Sequence, residues 1–490
     1  MSTNFCTFTV LKIKDFKTLL MCKGTSKKSI NQEKMLFSLS EMVSDTKIRV
    51  DFDAPDISAN GGILLLGSMR DSLAWKIGKL IPDNRKKEFV QHSYPEMVSQ
   101  RVGQILCGYE DANDCDRLRS DSTLKISVGR KPSSADLASQ PTMTRLENNV
   151  GMKTLYKIGR LFLDEYISSF DKAPKKVVID ADDTNANTYG AQELSLFNAY
   201  YDDYCYMPLL LFDGLTGKLM LPLLRPGRRN KTANVARLMR RVVEYLHKHW
   251  PRTIIELRGD SHFASHDFMD WAFKQWYVYY TTGLSGNPVL MAMVGKQRRR
   301  AENDYNKAQK EEDTKIEKLV EAGCKTVNRK RIVIKRYYKM EYKAASWKRE
   351  QRVIAKIEVS SQGTNIRFVV TKNKRNTPKT IYRHYCGRGE MELWIKDLKY
   401  FRADRMSCNS YKANYFRLFL YAAAFVMAHS LKHKAFIGSE VEHFTMDSFI
   451  KRIMLSAVHV VEKKTYIKIS FSPHHRHLAE MKAALGKIAV

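Results

Sequence analysis

Cysteine is sparse and unpatterned: the 490 residues hold eight, with no CxxC pair and no nearby histidine at zinc-ligand spacing. That argues against a zinc-binding framework and fits reduced cytoplasmic thiols. Long apolar runs are missing too. The longest, Leu418–Ala428 (LFLYAAAFVMA), is roughly half a bilayer span and reads as a buried helix, so no membrane insertion is expected. The opening MSTNFCTFTVLKIKDFKTLL has no basic stretch followed by a long apolar region and a small-residue cleavage site, so no signal peptide is expected. Acidic residues are outnumbered, 52 against 83 Lys and Arg, which leaves a net charge of +31. Such a field points to a polyanion partner, nucleic acid first, whose binding weakens as salt rises. The expected location is the cytoplasm, in association with nucleoid DNA. Hydrophobic residues make up 44% of the chain, ample for a folded protein of about two to four domains.

The carboxylates that are present fall at telling places. Lys175–Thr184 (KKVVIDADDT) runs from an apolar strand into an acidic tip, and period-two alternation puts Asp180 and Asp182 on one face with Asp183 opposite. Thr253–Asp260 (TIIELRGD) repeats the form, with Gly and Asp at the strand's C-terminal end. Open α/β sheets place ligands at such strand ends. Tyr385–Lys399 (YCGRGEMELWIKDLK) supplies a third acid. Read as one helix turning about 100° per residue, it puts Tyr385, Arg388, Glu392 and Lys399 on one face and Glu390 and Asp397 on the other. A carboxylate between cations is held ionised; the alternative is an exposed helix laced with ion pairs. Two strand-end Asp residues and a helical Glu would form an all-oxygen cluster suited to Mg²⁺ or Mn²⁺.

The spacing Tyr385, Arg388, Glu392, Lys399 resembles the YREK signature of DDE insertion-sequence transposases. The segments IDADDT, ELRGDSHFA, DANDCDRLRSD and LASQPTMTRLEN are similar to blocks of one branch, the insertion-sequence family numbered thirteen-eighty. The resemblance runs from about Val43 almost to the C-terminus, and His262 stands where the family more often has a small residue. It implies an RNase H-like catalytic fold with catalytic and metal-binding acids at Asp182, Asp260 and Glu392. Two Mg²⁺ (or Mn²⁺) ions are implied as cofactors, serving DNA cleavage followed by strand transfer. The implied partners are the element's terminal inverted repeats and target DNA, engaged by a homodimer in the synaptic complex. Arg388 and Lys399 would contact phosphates near the scissile bond or brace Glu392, and Tyr385 would pack or act. The rival readings are a catalytically inactive transposase-derived DNA-binding protein and an RNase H-like nuclease.

Along the chain the expected fold is α/β: an RNase H-like mixed sheet flanked by helices, a β-rich insertion and an N-terminal all-α DNA-binding domain. Residues 1–42 read as an extension and 43–170 as the helical domain, with a strand over Asp45–Asp53 and helices over Ile63–Leu80 and Ser93–Cys107. The helix start within Gln140–Asn148 offers Thr144 and Arg145 to a major groove, or is simply capped and solvated. Residues 171–283 form the first part of the catalytic core, with Tyr204–Gly214 and Leu219–Gly227 as strands and Thr232–His249 as a helix. Residues 284–380 form the insertion, whose strands present a buried face and either a DNA-facing or a solvated one. Within it Trp347, among Lys and Arg, either packs in the core or stacks on a displaced base. Residues 381–435 complete the core with the Glu392 helix, and 436–490 form the C-terminal region. There His474, His475 and His477 read as a solvated basic tail rather than a metal cluster, since no acidic ligand is near in sequence.

Overall fold

The computed structural model describes residues 35–38, 47–50, 53–227, 235–323 and 326–488. The chain divides into two compact units, Met1–Pro55 and Asp56–Val490. In the first, Met35–Ser38 pairs antiparallel with Lys47–Val50, the latter inside the strand expected at Asp45–Asp53. The rest of the expected extension and Thr232–Asn234 lie outside the described residues.

The second unit begins with helices. Gly61–Leu66 is a 3₁₀ turn and Leu73–Lys79 an α-helix. The single helix expected over Ile63–Leu80 is interrupted because Gly67 and Asp71 take left-handed backbone conformations (φ 63° and 70°), after which Ser72 caps the next segment. α1 (Tyr94–Leu106) follows the expectation closely: Ser93 caps it and Pro95 sits in the first turn. Two short helices, Asp114–Leu118 and Ser122–Ser127, precede α2 (Gln140–Asn148) and α3 (Met152–Ser168).

An eight-stranded sheet follows. Its strands are β1 (Lys176–Asp183), β2 (Leu209–Asp213), β3 (Leu219–Leu223), β4 (Ile254–Gly259), β5 (Val278–Leu284), β6 (Ile334–Tyr342), β7 (Gln351–Ser360) and β8 (Gly363–Thr371). Their order across the sheet is β6-β7-β8-β5-β4-β1-β2-β3. β1, β2 and β3 form an antiparallel meander, whereas β4 lies parallel to both β1 and β5. That is the order the sequence reading required of an RNase H-like sheet.

The segment Tyr204–Gly214 is not one strand. It breaks before Pro208, which has no N–H to donate, so that Asp203–Tyr206 joins a separate small sheet with Ala186–Thr188, Leu196–Asn198 and Arg405–Met406. α4 (Val235–His249) and the helix His266–Phe273 cover one face of the large sheet, burying Val243, Leu246, Phe268 and Met269 with Leu209, Leu211 and Leu257. On the other face Leu210 and Phe212 meet the almost wholly buried α8, whose range is Tyr411–Ala435. The alternation along β2 thus feeds two cores at once. Helices α1–α3 share the core of α8, so that core runs without a break from the N-terminal helices to Met481 and Ala484.

The β-rich segment does not stand apart as an insertion. β8 pairs antiparallel with β5 and extends the large sheet by three strands, with the long α5 (Gly295–Glu321) tied to them by Arg336–Asp304 and Thr364–Glu302 contacts. β7 is buried on both faces, Val353 and Ile357 in one cluster and Ile354 in another. The alternating pattern of β7 therefore marks a sheet interior, while Lys335, Arg336 and Lys339 on the edge strand β6 and Arg367 on β8 are exposed.

Trp347 is 7% exposed and packs edge-to-face on Tyr342 at 5.4 Å, which removes it from the candidate DNA contacts. Trp347→Ala is expected to lower stability by about 3 kcal/mol, a core truncation, and to leave DNA affinity at low temperature unchanged. Denaturant melts beside a binding isotherm check this.

Candidate active site

β1 and β4 are adjacent and parallel, with Gly259 in register with Ala181. The next residues, Asp182, still paired with Leu210 of β2, and Asp260, just past the end of β4, therefore lie side by side on neighbouring strands about 4.8 Å apart. Asp182 is mostly buried and its Oδ2 accepts from Arg388 Nη1 at 2.7 Å. Burial pushes its carboxyl up, Arg388 pulls it down, and the charge of Asp260 adds to the rise. Asp260 caps the 3₁₀ turn Ser261–Phe263, accepting the His262 backbone N–H at 2.8 Å while its other oxygen lies 2.7 Å from the His262 ring. His262, a departure from the family pattern, is thus a direct neighbour of the second acid.

Behind this pair lies a buried scaffold. Arg258 stands beside Asp180 in register and donates two hydrogen bonds of 2.5 Å to its carboxylate, plus one of 2.7 Å to the His384 carbonyl. Burial pushes the Asp180 carboxyl up and the guanidinium opposes it. Asp180 does share a face with Asp182, as alternation required, but it is consumed by this ion pair. A Cβ on Gly214 would come within 2.5 Å of Asp180, and one on Gly387 within 2.6 Å of Arg258, so both glycines exist for close approach. Next along β4, Glu256 is buried against Lys176 and His384. Burial would raise its pKa, but these partners hold it at about 2. Asp183, opposite, pairs with Arg225.

The signature stretch is two helices, α6 (Pro378–Cys386) and α7 (Gly389–Tyr400). They meet at Gly387 and Arg388, where hydrogen bonds tighten to the 3₁₀ spacing, as in Arg388 N–H to Tyr385 O at 3.0 Å. α6 rests on Ile354 and Val369 of the sheet extension. Tyr385 is thereby brought against Gly283, which a Cβ would place 2.8 Å from its hydroxyl. Burial raises its pKa, and Arg388 and Asp260 act on it with opposite signs.

The expected cationic face dissolves at the junction. Arg388 turns to Asp182, and Lys399 donates to Asn185 at 3.3 Å, where burial lowers its pKa. Glu392 is exposed, and among the described residues no hydrogen bond or ion pair holds it. Neither the ion-pair lacing nor the carboxylate flanked by cations is what forms. Glu390 is exposed as well, and Asp397 accepts the Met446 N–H.

Asp182, Asp260 and Arg388 line a cleft of about 1050 Å³. Its far wall is a feature sequence reasoning missed: Phe197, Tyr200, Tyr201 and Tyr204 from the small sheet and its turn. Tyr200 is 87% exposed and Tyr204 58%. The signal was present as an aromatic-rich run, LFNAYYDDYCY, between the first acid and β2. Thr144 and Arg145 do not line this cleft. They lie in the middle of α2 rather than at its start; Thr144 accepts from Gln140, and exposed Arg145 donates to Thr142. α2 itself is pinned by Glu147, buried between Arg101 and Arg417.

A family model described as "Transposase DDE domain group 1" matches residues 40–490. The chain belongs to this family. It is a DDE-type DNA transposase, and the sequence resemblance to DDE transposases is upheld at that level. Among solved structures, the piggyBac transposase in its synaptic complex with hairpin DNA is similar with a TM-score of 0.41 and 10% identity, over 81% of this chain and 79% of that one. No curated protein matches. DDE transposases use divalent metal ions, and the paired carboxylates at the strand ends fit that requirement: all donors are oxygen, and Asp182 already takes a cationic partner in Arg388. Among the described residues, no helix of this transposase is long and apolar enough to cross a membrane.

Proposed function

We propose that the transposase binds the terminal inverted repeats of its element as a homodimer, cuts at the ends and joins them to target DNA, as a cytoplasmic member of the insertion-sequence branch numbered thirteen-eighty. The observation that carries this is the pairing of Asp182 and Asp260 at the C-terminal ends of neighbouring parallel strands in an open cleft. Asp182, Asp260 and Glu392 are the proposed catalytic acids. They would hold two Mg²⁺ (or Mn²⁺) ions, which when bound supply Lewis-acid activation of the attacking oxygen and stabilisation of the leaving one. Glu392 lies one turn along α7 from Arg388, outside the residues that line the cleft, and its place in the YREK spacing is what supports it as the third acid. Arg388, once its hold on Asp182 is exchanged, would meet a DNA phosphate, and Lys399 and Tyr385 would make further DNA contacts. No side-chain nucleophile is required.

The aromatic wall supports the same reading, because bases unpaired beside a scissile phosphate stack on exposed rings. Tyr200→Ala is expected to weaken binding of end DNA carrying an unpaired terminus about tenfold, in line with stacking of about 1–3 kcal/mol per base. Binding of the fully paired end and the melting temperature should stay as they are. Fluorescence anisotropy with the two substrates measures it. The function as a whole is tested by incubating the protein with end-bearing DNA, a target plasmid and Mg²⁺. Joined products identify a transposase acting as proposed; cleavage without joining identifies a nuclease, and binding without cleavage a DNA-binding relic.

A further inference from the structure

The three C-terminal histidines read as a solvated tail in the sequence, but they do not share one environment. His474 is exposed. His475 is engaged through both ring nitrogens, one to Ser456 Oγ at 2.9 Å and the other accepting the His477 N–H at 3.2 Å. His477 is 1% exposed, lies edge-on to Phe444 at 5.3 Å, and has no hydrogen bond at either ring nitrogen. A buried imidazole with both nitrogens unsatisfied is costly, and such a group calls for an explanation.

The fold supplies one by bringing in acids distant in sequence. Glu440 comes from the 3₁₀ turn Glu440–His443 that follows α8, and Glu480 from the first turn of the helix Leu478–Ile488. One donor atom from each of Glu440, His477 and Glu480 lies within 4.8 Å of the others. His477 Nδ1 is 3.2 Å from Glu440 Oε1, yet the alignment is not that of a hydrogen bond. Two ligands in a tetrahedral zinc shell with bonds of about 2.0–2.1 Å stand about 3.3 Å apart. Among the described residues neither carboxylate has another hydrogen-bond or ion-pair partner.

We propose that Glu440, His477 and Glu480 form a Zn²⁺ site, closed by solvent, separate from the catalytic acids. One imidazole nitrogen with two carboxylate oxygens is a donor set suited to zinc rather than to Mg²⁺, which takes oxygen alone. The ion clips the helix Leu478–Ile488, whose Met481 and Ala484 enter the core shared with α8, to the segment leaving α8. Its role is structural.

The test uses full-length protein carrying Asp182→Asn and Asp260→Asn, so that ions at the catalytic acids do not contribute. After dialysis against trace Zn²⁺, elemental analysis should find about one zinc per chain, and Co²⁺ in its place should give the visible absorption of a tetrahedral site. His477→Ala, and separately Glu440→Gln, should lose the metal and the rise in melting temperature that Zn²⁺ produces. Glu440 is largely exposed, so the Gln variant keeps the test intact if His477→Ala does not fold. No retained zinc and no shift in melting temperature in the parent protein would overturn the proposal. So would zinc retained undiminished in Glu440→Gln, which would point to an ion pair between Glu440 and a protonated His477.

Discussion

Asp182→Ala and Asp260→Ala are each expected to reduce Mg²⁺-dependent cleavage of end DNA by more than about a thousandfold. Transition-state charge stabilisation of several kcal/mol is at stake, and each 1.36 kcal/mol is a factor of ten. Neither change should weaken DNA binding greatly, because phosphate contacts elsewhere on a chain of net charge +31 carry affinity. The two variants differ in one respect. Asp182 is Arg388's partner, so its removal also frees a guanidinium at the cleft. Asp260 caps the turn at Ser261–Phe263, so its loss adds a small structural cost of about 1 kcal/mol. Asp260→Asn keeps much of the cap and should be as inactive as Asp260→Ala, which separates cation holding from turn geometry. Measuring cleavage and gel-shift affinity in parallel decides the matter.

The second large effect concerns stability. Asp180→Ala is expected to destabilise the fold by about 3–5 kcal/mol, because it leaves Arg258, 3% exposed, buried without its carboxylate. Asp180 is therefore a poor control for the proposed catalytic acids, although it stands two residues from Asp182 on the same face. Activity should fall in Asp180→Ala only to the extent that the protein unfolds, whereas Asp182→Ala should melt close to the parent. The double change Asp180→Leu with Arg258→Met, which removes both charges, should recover much of the lost stability, since replacing a whole buried ion pair by apolar groups is often neutral. Thermal melts of the three variants give the answer.

What the sequence disclosed and what it hid follow from the range of the interactions. Alternation along β1 and the form of TIIELRGD are local, and they located both strand-end acids. The caps and periodicity of α1 and the apolar run of α8 are local as well. The placement of β6–β8 is not, since nothing in those strands announces that β8 will pair with β5. Their alternation was read as one buried and one outward face of an insertion, whereas they continue the large sheet itself. The helical wheel over Tyr385–Lys399 assumed a single helix and neighbours within it. The helix tightens to 3₁₀ spacing at Gly387 and Arg388, and the partners of Arg388 and Lys399 come from β1 and the turn after it. Charges inside apolar strands carried a signal that went unused: Asp180 and Arg258 each interrupt a hydrophobic run, and a buried charge demands a partner. For Trp347 the sequence left packing and stacking open, because its charged sequence neighbours say nothing of the Tyr342 ring it packs on.

The central claim is that Asp182, Asp260 and Glu392 act as one site, and Glu392 is its most exposed member. Glu390, two residues earlier on α7 and also exposed, differs from it only in register. The most direct measurement is therefore Mg²⁺-dependent cleavage of end DNA by Glu392→Ala and Glu390→Ala side by side, at matched DNA binding. The account predicts loss of cleavage in Glu392→Ala and near-parental cleavage in Glu390→Ala; an active Glu392→Ala beside an inactive Glu390→Ala would contradict it.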